Sequence, residues 1–151
     1  MSAGKIGMIS DVITVSDGVA LSHPSESFAL YGQSEAENAL LKAFNSGQLA
    51  HAWLFSGQKG IGKATLAYRF ARFLLACGSD KDDRATENIG FSEKKDNLFV
   101  HPDHPVFLRV AAGGHADLKT IQRQFDEKKN RYKTEIVIDD VRLIGSFFSL
   151  S

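Results

Sequence analysis

The feature that most constrains this chain is the stretch GQKGIGKAT at residues 57–65. Gly57, Gly62 and Lys63 stand where the pattern G-x-x-x-x-G-K-[ST] requires them. In that pattern the loop N–H groups cradle phosphates and the lysine reaches the terminal ones. The final position, which should carry a hydroxyl group for Mg²⁺, is Ala64. The sequence therefore predicts the shape of a phosphate-binding loop without its metal ligand.

The residues on either side favour this interpretation over an ordinary glycine-rich turn. The apolar run LAHAWLFSG predicts a strand over residues 50–55, buried on both faces of a parallel sheet. After the loop, KATLAYRFARFLLAC predicts an amphipathic helix that begins near Lys63. Strand, loop and helix in this order place phosphates at the positive end of the helix. The predicted nucleotide-contacting residues are Gly57, Gly60, Ile61, Gly62, Lys63, Ala64 and Thr65.

Ala64 changes the predicted chemistry more than the predicted shape. A methyl group cannot coordinate the Mg²⁺ ion that bridges the terminal phosphates. Thr65 comes one residue late, and one residue is a rotation of about 100° on a helix. We therefore expect ATP or ADP to bind without efficient turnover, no cofactor to be required, and no residue to be catalytic.

Three further elements are predicted outside the loop. Ser34 and Glu37 form a capping-box pattern at the start of a helix that Gly47 ends. The run VFLRVAA predicts a second strand over residues 106–110. Residues 135–138 are predicted as a short extended segment that leads into a helix.

The acidic pair at the start of that last helix has two interpretations. Ile136, Val137 and Ile138 run into Asp139 and Asp140, as in an acidic Walker B strand. The apolar run is short, however, and either aspartate can cap a helix whose apolar residues repeat with a period of 3.6. We prefer the helix.

Two other clusters of polar residues carry weaker predictions. His101, Asp103 and His104 lie in HPDHP, where the prolines force a turn and no fourth ligand is present, so we expect no metal site. Residues 126–133, DEKKNRYK, form a basic cluster that we expect to be a surface turn. Contacts with DNA phosphates are its alternative function.

Composition narrows the class of protein. Eighteen basic residues balance 18 acidic ones, so net charge gives no argument for a nucleic-acid or membrane surface. Cys77 is the single cysteine, which excludes an internal disulfide and a cysteine zinc site and favours the cytoplasm. Residues 1–24 resemble neither a signal peptide nor a membrane span, and we expect a poorly ordered arm there. Residues 78–97 are predicted to be a solvated loop.

The stretch from His23 to Ala76 resembles the delta prime subunits of the bacterial DNA polymerase III clamp loader, in the form found in alphaproteobacteria. The residues that carry the resemblance are Gly32–Gln33, SGQLAHAWLFSG and the loop with Ala64; farther on, HPD, DEKKNRYKTEI and IDDVRLIGSFF also match. The resemblance implies an α/β fold of the P-loop NTPase (AAA+) three-layer type. It also implies a non-hydrolysing structural subunit that works with delta and tau/gamma subunits, a sliding clamp and primed DNA.

The chain departs from that family in two respects. Many delta prime subunits carry a four-cysteine zinc module, which this sequence lacks, so we expect no zinc. The family also continues into a Walker B strand, a helical lid and a collar domain. We therefore expect residues 25–151 to be a partial AAA+ domain that ends before the Walker B strand, with the lid and collar absent.

A second functional hypothesis stays open at this point. The chain could be a small P-loop ATPase or kinase that uses Lys63 and a catalytic acid, Asp139 or Asp140. The residue at position 64 separates the two hypotheses, because an active enzyme should gain little from a hydroxyl group there.

Overall fold

The computed structural model describes residues 5–10, 22–79 and 94–149. The elements in chain order are β1 (Ile6–Ser10), α1 (Ser34–Asn45), α2 (Lys63–Ser79), α3 (Pro105–Ala111), β2 (Leu118–Gln122), β3 (Phe125–Asp126), β4 (Arg131–Tyr132) and α4 (Ile138–Ser149). They form a mixed α/β architecture with two two-stranded sheets. The predicted α/β class is confirmed, whereas the strands that the sequence predicted are not those that form.

Helix α2 contributes residues to both hydrophobic clusters of the described fold. It begins at Lys63, as predicted, and buries residues on two of its sides. One cluster joins α2 to β1 and α3 and comprises Met8, Tyr68, Ala71, Leu75, Ala76, Val106 and Val110. The other joins α2 to α1 and comprises Leu40, Leu66, Phe70, Phe73 and Leu98. Burial on two sides explains why α2 carries apolar residues over more than one stripe.

Strands β1 and β2 are parallel, and helices cover both faces of the pair. Ile6 pairs with Leu118 at the start of the register. Met8 is buried in the cluster with α2 and α3. A Cβ atom on Gly7 would lie 3.4 Å from side-chain atoms of Ile144 and Phe148. Because neighbouring residues of a strand face opposite sides, α4 covers the face opposite α2, which gives three small layers.

Strand β1 lies in the segment that the sequence predicted as a poorly ordered arm. The prediction for residues 1–24 missed it because IGMIS is short and has no alternation that would indicate a strand. Residues 1–4 and 11–21 of that arm lie outside the described residues. The structure describes only the two ends of the predicted solvated loop at 78–97. At its C-terminal end, the side chain of Asn45 donates a hydrogen bond to the Lys95 carbonyl and accepts one from the Lys95 N–H.

The strand predicted over residues 50–55 does not form. This segment has no regular secondary structure, and Leu54 is 93% exposed. A buried strand needs hydrogen-bonded neighbours on its edges, and the only parallel sheet of the described residues consists of β1 and β2. The prediction of a strand buried on both faces was therefore wrong.

The second predicted strand, 106–110, is a helix. Helix α3 has Pro105 in its first turn and His104 as its N-cap, whose ring accepts a hydrogen bond from the Val106 N–H at 3.2 Å. Proline is favoured at this position because its missing N–H would have no partner there. Val106, Phe107 and Val110 are buried, which is a helical spacing. Residues between them are apolar too, so this spacing could not be recognised in the sequence.

Residues 135–137, predicted as a short extended segment, form no strand, and the helix that was preferred over a Walker B strand is confirmed. Helix α4 begins at Ile138, and the carbonyl of Val137 accepts from the Asp140 N–H at 3.0 Å. Asp139 and Asp140 therefore lie in the first turn and do not cap the helix. Two acids in the first turn complement the helix dipole without being its cap.

Helix α1 spans Ser34–Asn45, and Gly47, with φ +71°, follows its C-cap Ser46, so the predicted helix stop is confirmed. Its N-cap is Gln33, and no side chain caps it. The predicted capping box is therefore wrong. Glu37 forms an ion pair with Arg69 of α2 instead, so the carboxylate ties two helices together rather than closing the first turn.

Two arginines of α2 hold the segment that precedes α1. Arg72 is 2% exposed and donates to the carbonyls of Ser25 and Ser27 at 2.6 and 2.7 Å. Its guanidinium lies 4.3 Å from the ring centroid of Phe107. Burial, followed by the charge of Arg69, lowers the pKa of Arg72 to about 10, so it stays charged at neutral pH. Arg69 donates to the carbonyl of Phe28 at 2.7 Å.

Helices in the described part of the chain are too short or too polar to cross a bilayer.

Candidate phosphate-binding loop

The loop before α2 contains three glycines with positive φ angles. Gly57, Gly60 and Gly62 have φ angles of +145°, +82° and +96°. Side chains with a Cβ atom rarely adopt such angles, so glycine is required at these places. The carbonyl of Gly62 accepts from the Leu66 N–H at 2.9 Å and starts α2. The loop therefore delivers the chain directly to the N-terminus of a 17-residue helix.

Lys63 lies over this loop. Its ammonium group donates to the carbonyls of Gly57 at 2.9 Å and Gln58 at 2.7 Å. The side chain therefore curls back from the first residue of α2 across the loop. An anion in the loop would offer the same ammonium group stronger, charged acceptors than these two carbonyls.

The amide groups around the lysine are available to an anion. Among the hydrogen bonds of the described residues, none has an N–H of residues 58–65 as its donor. The first turn of any helix leaves such N–H groups without intrahelical partners. Together with the positive end of α2, they form the kind of site that holds phosphate oxygens.

The two residues after the lysine do not complete a metal site. Ala64 is half-buried, and its side chain has no oxygen that could coordinate a metal ion. Thr65 is also half-buried and follows Ala64 on the helix. Within the described parts of the chain, no group of three His, Cys, Asp or Glu residues could hold a metal ion.

The acids that an ATPase would need are engaged elsewhere. Asp140 accepts from the side-chain amide of Gln124 at 3.1 and 3.2 Å. Asp139 forms an ion pair with Arg142 at 2.9 Å. In the hydrogen bonds that the described residues make, neither carboxylate reaches the loop.

Two loop contacts were missed by sequence reasoning. The side-chain amide of Gln33 donates to the carbonyl of Ile61 at 3.0 Å. Leu30 lies so close that a Cβ atom on Gly62 would be 2.9 Å from its Cδ1 atom. Ile61 itself is 45% exposed. Gln33 and Leu30 come from the segment held by the arginines of α2, and only the tertiary fold brings them to the loop.

The other sequence candidates fall in two places. His101 and Asp103 are exposed neighbours with 3.4 Å between Nδ1 and Oδ2, and His104 caps α3. The basic cluster at 126–133 forms the β3–β4 hairpin, so the predicted surface turn is confirmed. Neither group contributes to the loop.

A comparison with models of protein families identifies the family. A family model described as DNA polymerase III, delta subunit, matches residues 32–151. No curated protein and no solved structure matches the chain significantly. The match covers most of the chain, including the loop, α2 and α4. The chain therefore belongs to the DNA polymerase III delta subunit family, a group of clamp-loader-related domains.

Proposed function

We propose that this chain is a non-hydrolysing subunit of the DNA polymerase III clamp loader, of the delta prime type. It would help other subunits load the sliding clamp onto primed DNA. Membership of the family links the chain to DNA replication and clamp loading. The observation that carries the finer assignment is Ala64, which stands in an otherwise complete phosphate loop where a hydrolysing enzyme needs a metal ligand.

In this proposal the loop is a retained phosphate site of an AAA+ domain. Gly57, Gly60 and Gly62 shape it, the N–H groups of the first turn of α2 donate to phosphate oxygens, and the ammonium group of Lys63 turns from its two carbonyl acceptors to the nucleotide. ATP or ADP would bind weakly and without turnover. Its partners would be delta and tau/gamma subunits, and through them the sliding clamp and DNA.

A nucleotide titration tests the loop. We would measure anisotropy of a fluorescent ADP analogue with and without Mg²⁺ for the wild type and for Lys63→Ala, with Lys59→Ala as the matched control. We expect binding that is insensitive to Mg²⁺, is lost on Lys63→Ala and is kept in Lys59→Ala. Equal binding by both variants would contradict a phosphate site at this loop.

The residue at position 64 tests the absence of hydrolysis. Ala64→Thr restores the hydroxyl group of the pattern, so we expect Mg²⁺ to strengthen nucleotide binding in this variant alone. ATP turnover by the wild-type chain that disappears on Asp140→Asn would instead establish the small-ATPase alternative.

Assembly tests the role in clamp loading. We would mix the full chain with delta and tau/gamma subunits and follow complex formation by analytical ultracentrifugation. A complex that contains the chain supports the proposal. A chain that sediments alone while the other subunits assemble would refute a clamp-loader role for the chain as it stands.

A further inference from the structure

Segment 50–56 has the side-chain pattern of a β-strand. No turn or bend interrupts its last five residues. The ring centroid of Trp53 lies 6.0 Å from that of Phe70 in α2, and Phe55 packs against the cluster that contains Phe70. Leu54, between these two inward side chains, is 93% exposed. Inward and outward side chains therefore alternate with the period of two that a strand has.

The backbone of this segment is open to pairing. Among the hydrogen bonds that the described residues make, none involves an N–H or carbonyl group of residues 50–56. Backbone groups of folded proteins are almost always paired, with protein or with water. A strand edge whose backbone groups have no protein partner is a template to which another strand can add. Segment 50–56 offers such an edge.

The composition of the segment favours pairing with an identical strand. Exposed edges are commonly protected by charged side chains or by proline, whereas residues 49–56, LAHAWLFS, contain no Asp, Glu, Lys, Arg or Pro. The whole chain has 18 basic and 18 acidic residues, and a net charge near zero promotes association between copies. An uncharged edge on a neutral chain fits a second copy better than a charged partner.

The apolar surface around the segment is large enough for a small interface. Five large apolar side chains here are exposed by 40% or more: Phe28, Tyr31, Trp53, Leu54 and Ile61. Leu30 packs against the same cluster as Phe55, so the residues before α1 border the segment. With about 150–250 Å² for a large side chain, this surface amounts to roughly 600 Å². Two copies would then bury roughly 1,200 Å², the lower limit for a specific interface.

We propose that two copies of this chain associate through segment 50–56, paired antiparallel about a two-fold axis at Trp53. In this register Leu54 of each copy lies opposite Ala52 of the other, a large side chain against a small one, and the two Trp53 rings are neighbours. The second copy supplies the hydrogen-bonded neighbour that the predicted strand lacks within the described chain. The inference goes beyond the proposed function and does not depend on it.

Sedimentation equilibrium of the full chain tests the association. The chain has a mass of 16.5 kDa. We expect the weight-average mass to rise toward twice this value between about 1 and 200 µM, because a small interface supports micromolar affinity. Trp53 is the single tryptophan, so the emission of the protein should shift to shorter wavelength over the same range. The amides of residues 50–56 should exchange more slowly at the higher concentration.

Charge variants locate the contact. Ala52→Lys with Leu54→Lys, and separately Ala52→Glu with Leu54→Glu, place like charges opposite each other in the pair. Each double variant should stay monomeric, whereas an equimolar mixture of the two should form a dimer, since opposite charges then face each other. The matched control adds the same charge at an exposed leucine and alanine elsewhere, as Leu108→Lys with Ala112→Lys, and should dimerise like the wild type. Far-UV circular dichroism checks that each protein is folded.

Several results would overturn the inference. They are a wild-type chain that stays monomeric up to about 200 µM, an unchanged dimer in both charge variants, a mixture that stays monomeric, and species that grow beyond the dimer. A monomeric wild type whose residues 50–56 become protected only on mixing with delta and tau/gamma subunits would assign the segment to a partner subunit instead. Failure to bind nucleotide or to join a clamp loader would leave this result unaffected, because the assay contains only this chain.

Discussion

Replacing Arg72 by methionine should cause one of the largest losses of stability that a single change can produce in this fold. Methionine fills a similar volume but cannot donate to the carbonyls of Ser25 and Ser27. A hydrogen bond from a charged donor contributes about 1.5–3 kcal/mol. Removing the buried charge also relieves desolvation, the effect that lowers its pKa to about 10.

The balance of these effects sets the expected magnitude. Ser25 is 6% exposed, so its carbonyl would be left buried without a donor, whereas the carbonyl of the half-buried Ser27 can bind water. The cost of one unsatisfied buried carbonyl and one lost hydrogen bond is larger than the energy gained by no longer burying a charge. We expect Arg72→Met to lower the free energy of unfolding by about 2–4 kcal/mol. For a chain of this length that is a decrease in Tm of about 5–15 °C.

Urea denaturation followed by circular dichroism measures the loss. Arg72→Lys should fall between the wild type and Arg72→Met, since lysine keeps the charge but cannot hold both carbonyls in a fork. Arg109→Met is the control, because Arg109 is exposed. Arg72→Met with stability within about 0.5 kcal/mol of the wild type would refute the argument that the guanidinium holds the 25–27 segment.

Three shorter predictions follow. Gly62→Ala should destabilise the chain by about 1–3 kcal/mol in thermal melts because φ is positive there, whereas Gly114→Ala, which meets no atom within 4 Å, should have little effect. Burial lowers the pKa of His115 from 6.5, so the folded state binds fewer protons and stability falls as pH drops below about 6.5; His115→Asn should flatten Tm between about pH 5 and 7, and an unchanged slope would refute this. Gly7→Leu should displace α4, because Ile144 is already 3.4 Å from a Cβ atom at this position. A Gly7→Leu variant with the hydrodynamic radius and Tm of the wild type would contradict the packing of α4 on β1.

The sequence predicted those elements whose signals are local. The strong helical repeat of α2 is a property of neighbouring residues, and this helix was predicted correctly. The same holds for Gly47 at the end of α1.

Elements that depend on distant partners were missed. Residues 50–55 have a strand-like composition, yet strand structure requires a hydrogen-bonded neighbour that the described residues do not supply. Strand β1 was missed for the converse reason, since only β2 makes IGMIS a strand. At residues 106–110 an apolar run is compatible with a strand or with a helix, and the N-cap His104 followed by Pro105 favours the helix.

The contribution of Gln33 to the loop could not be predicted from the sequence either. Gln33 is close to the loop only because Arg69 and Arg72 hold the segment before α1 against α2. A contact that depends on the tertiary fold has no fixed spacing to the loop residues from which it could be predicted.

The pairing of β1 with β2 has a consequence for how the chain folds. Ile6 and Leu118 are partners although roughly 110 residues separate them, so the pair closes a long loop and gains nothing until most of the chain exists. During synthesis the N-terminal strand must wait for β2 to leave the ribosome, while the contacts between α1 and α2 form early because they are close in sequence. We expect the cluster that contains Met8 to be the last part of the core to order and the first to open, and hydrogen exchange of the β1 amides ahead of those of α2 would reveal that order.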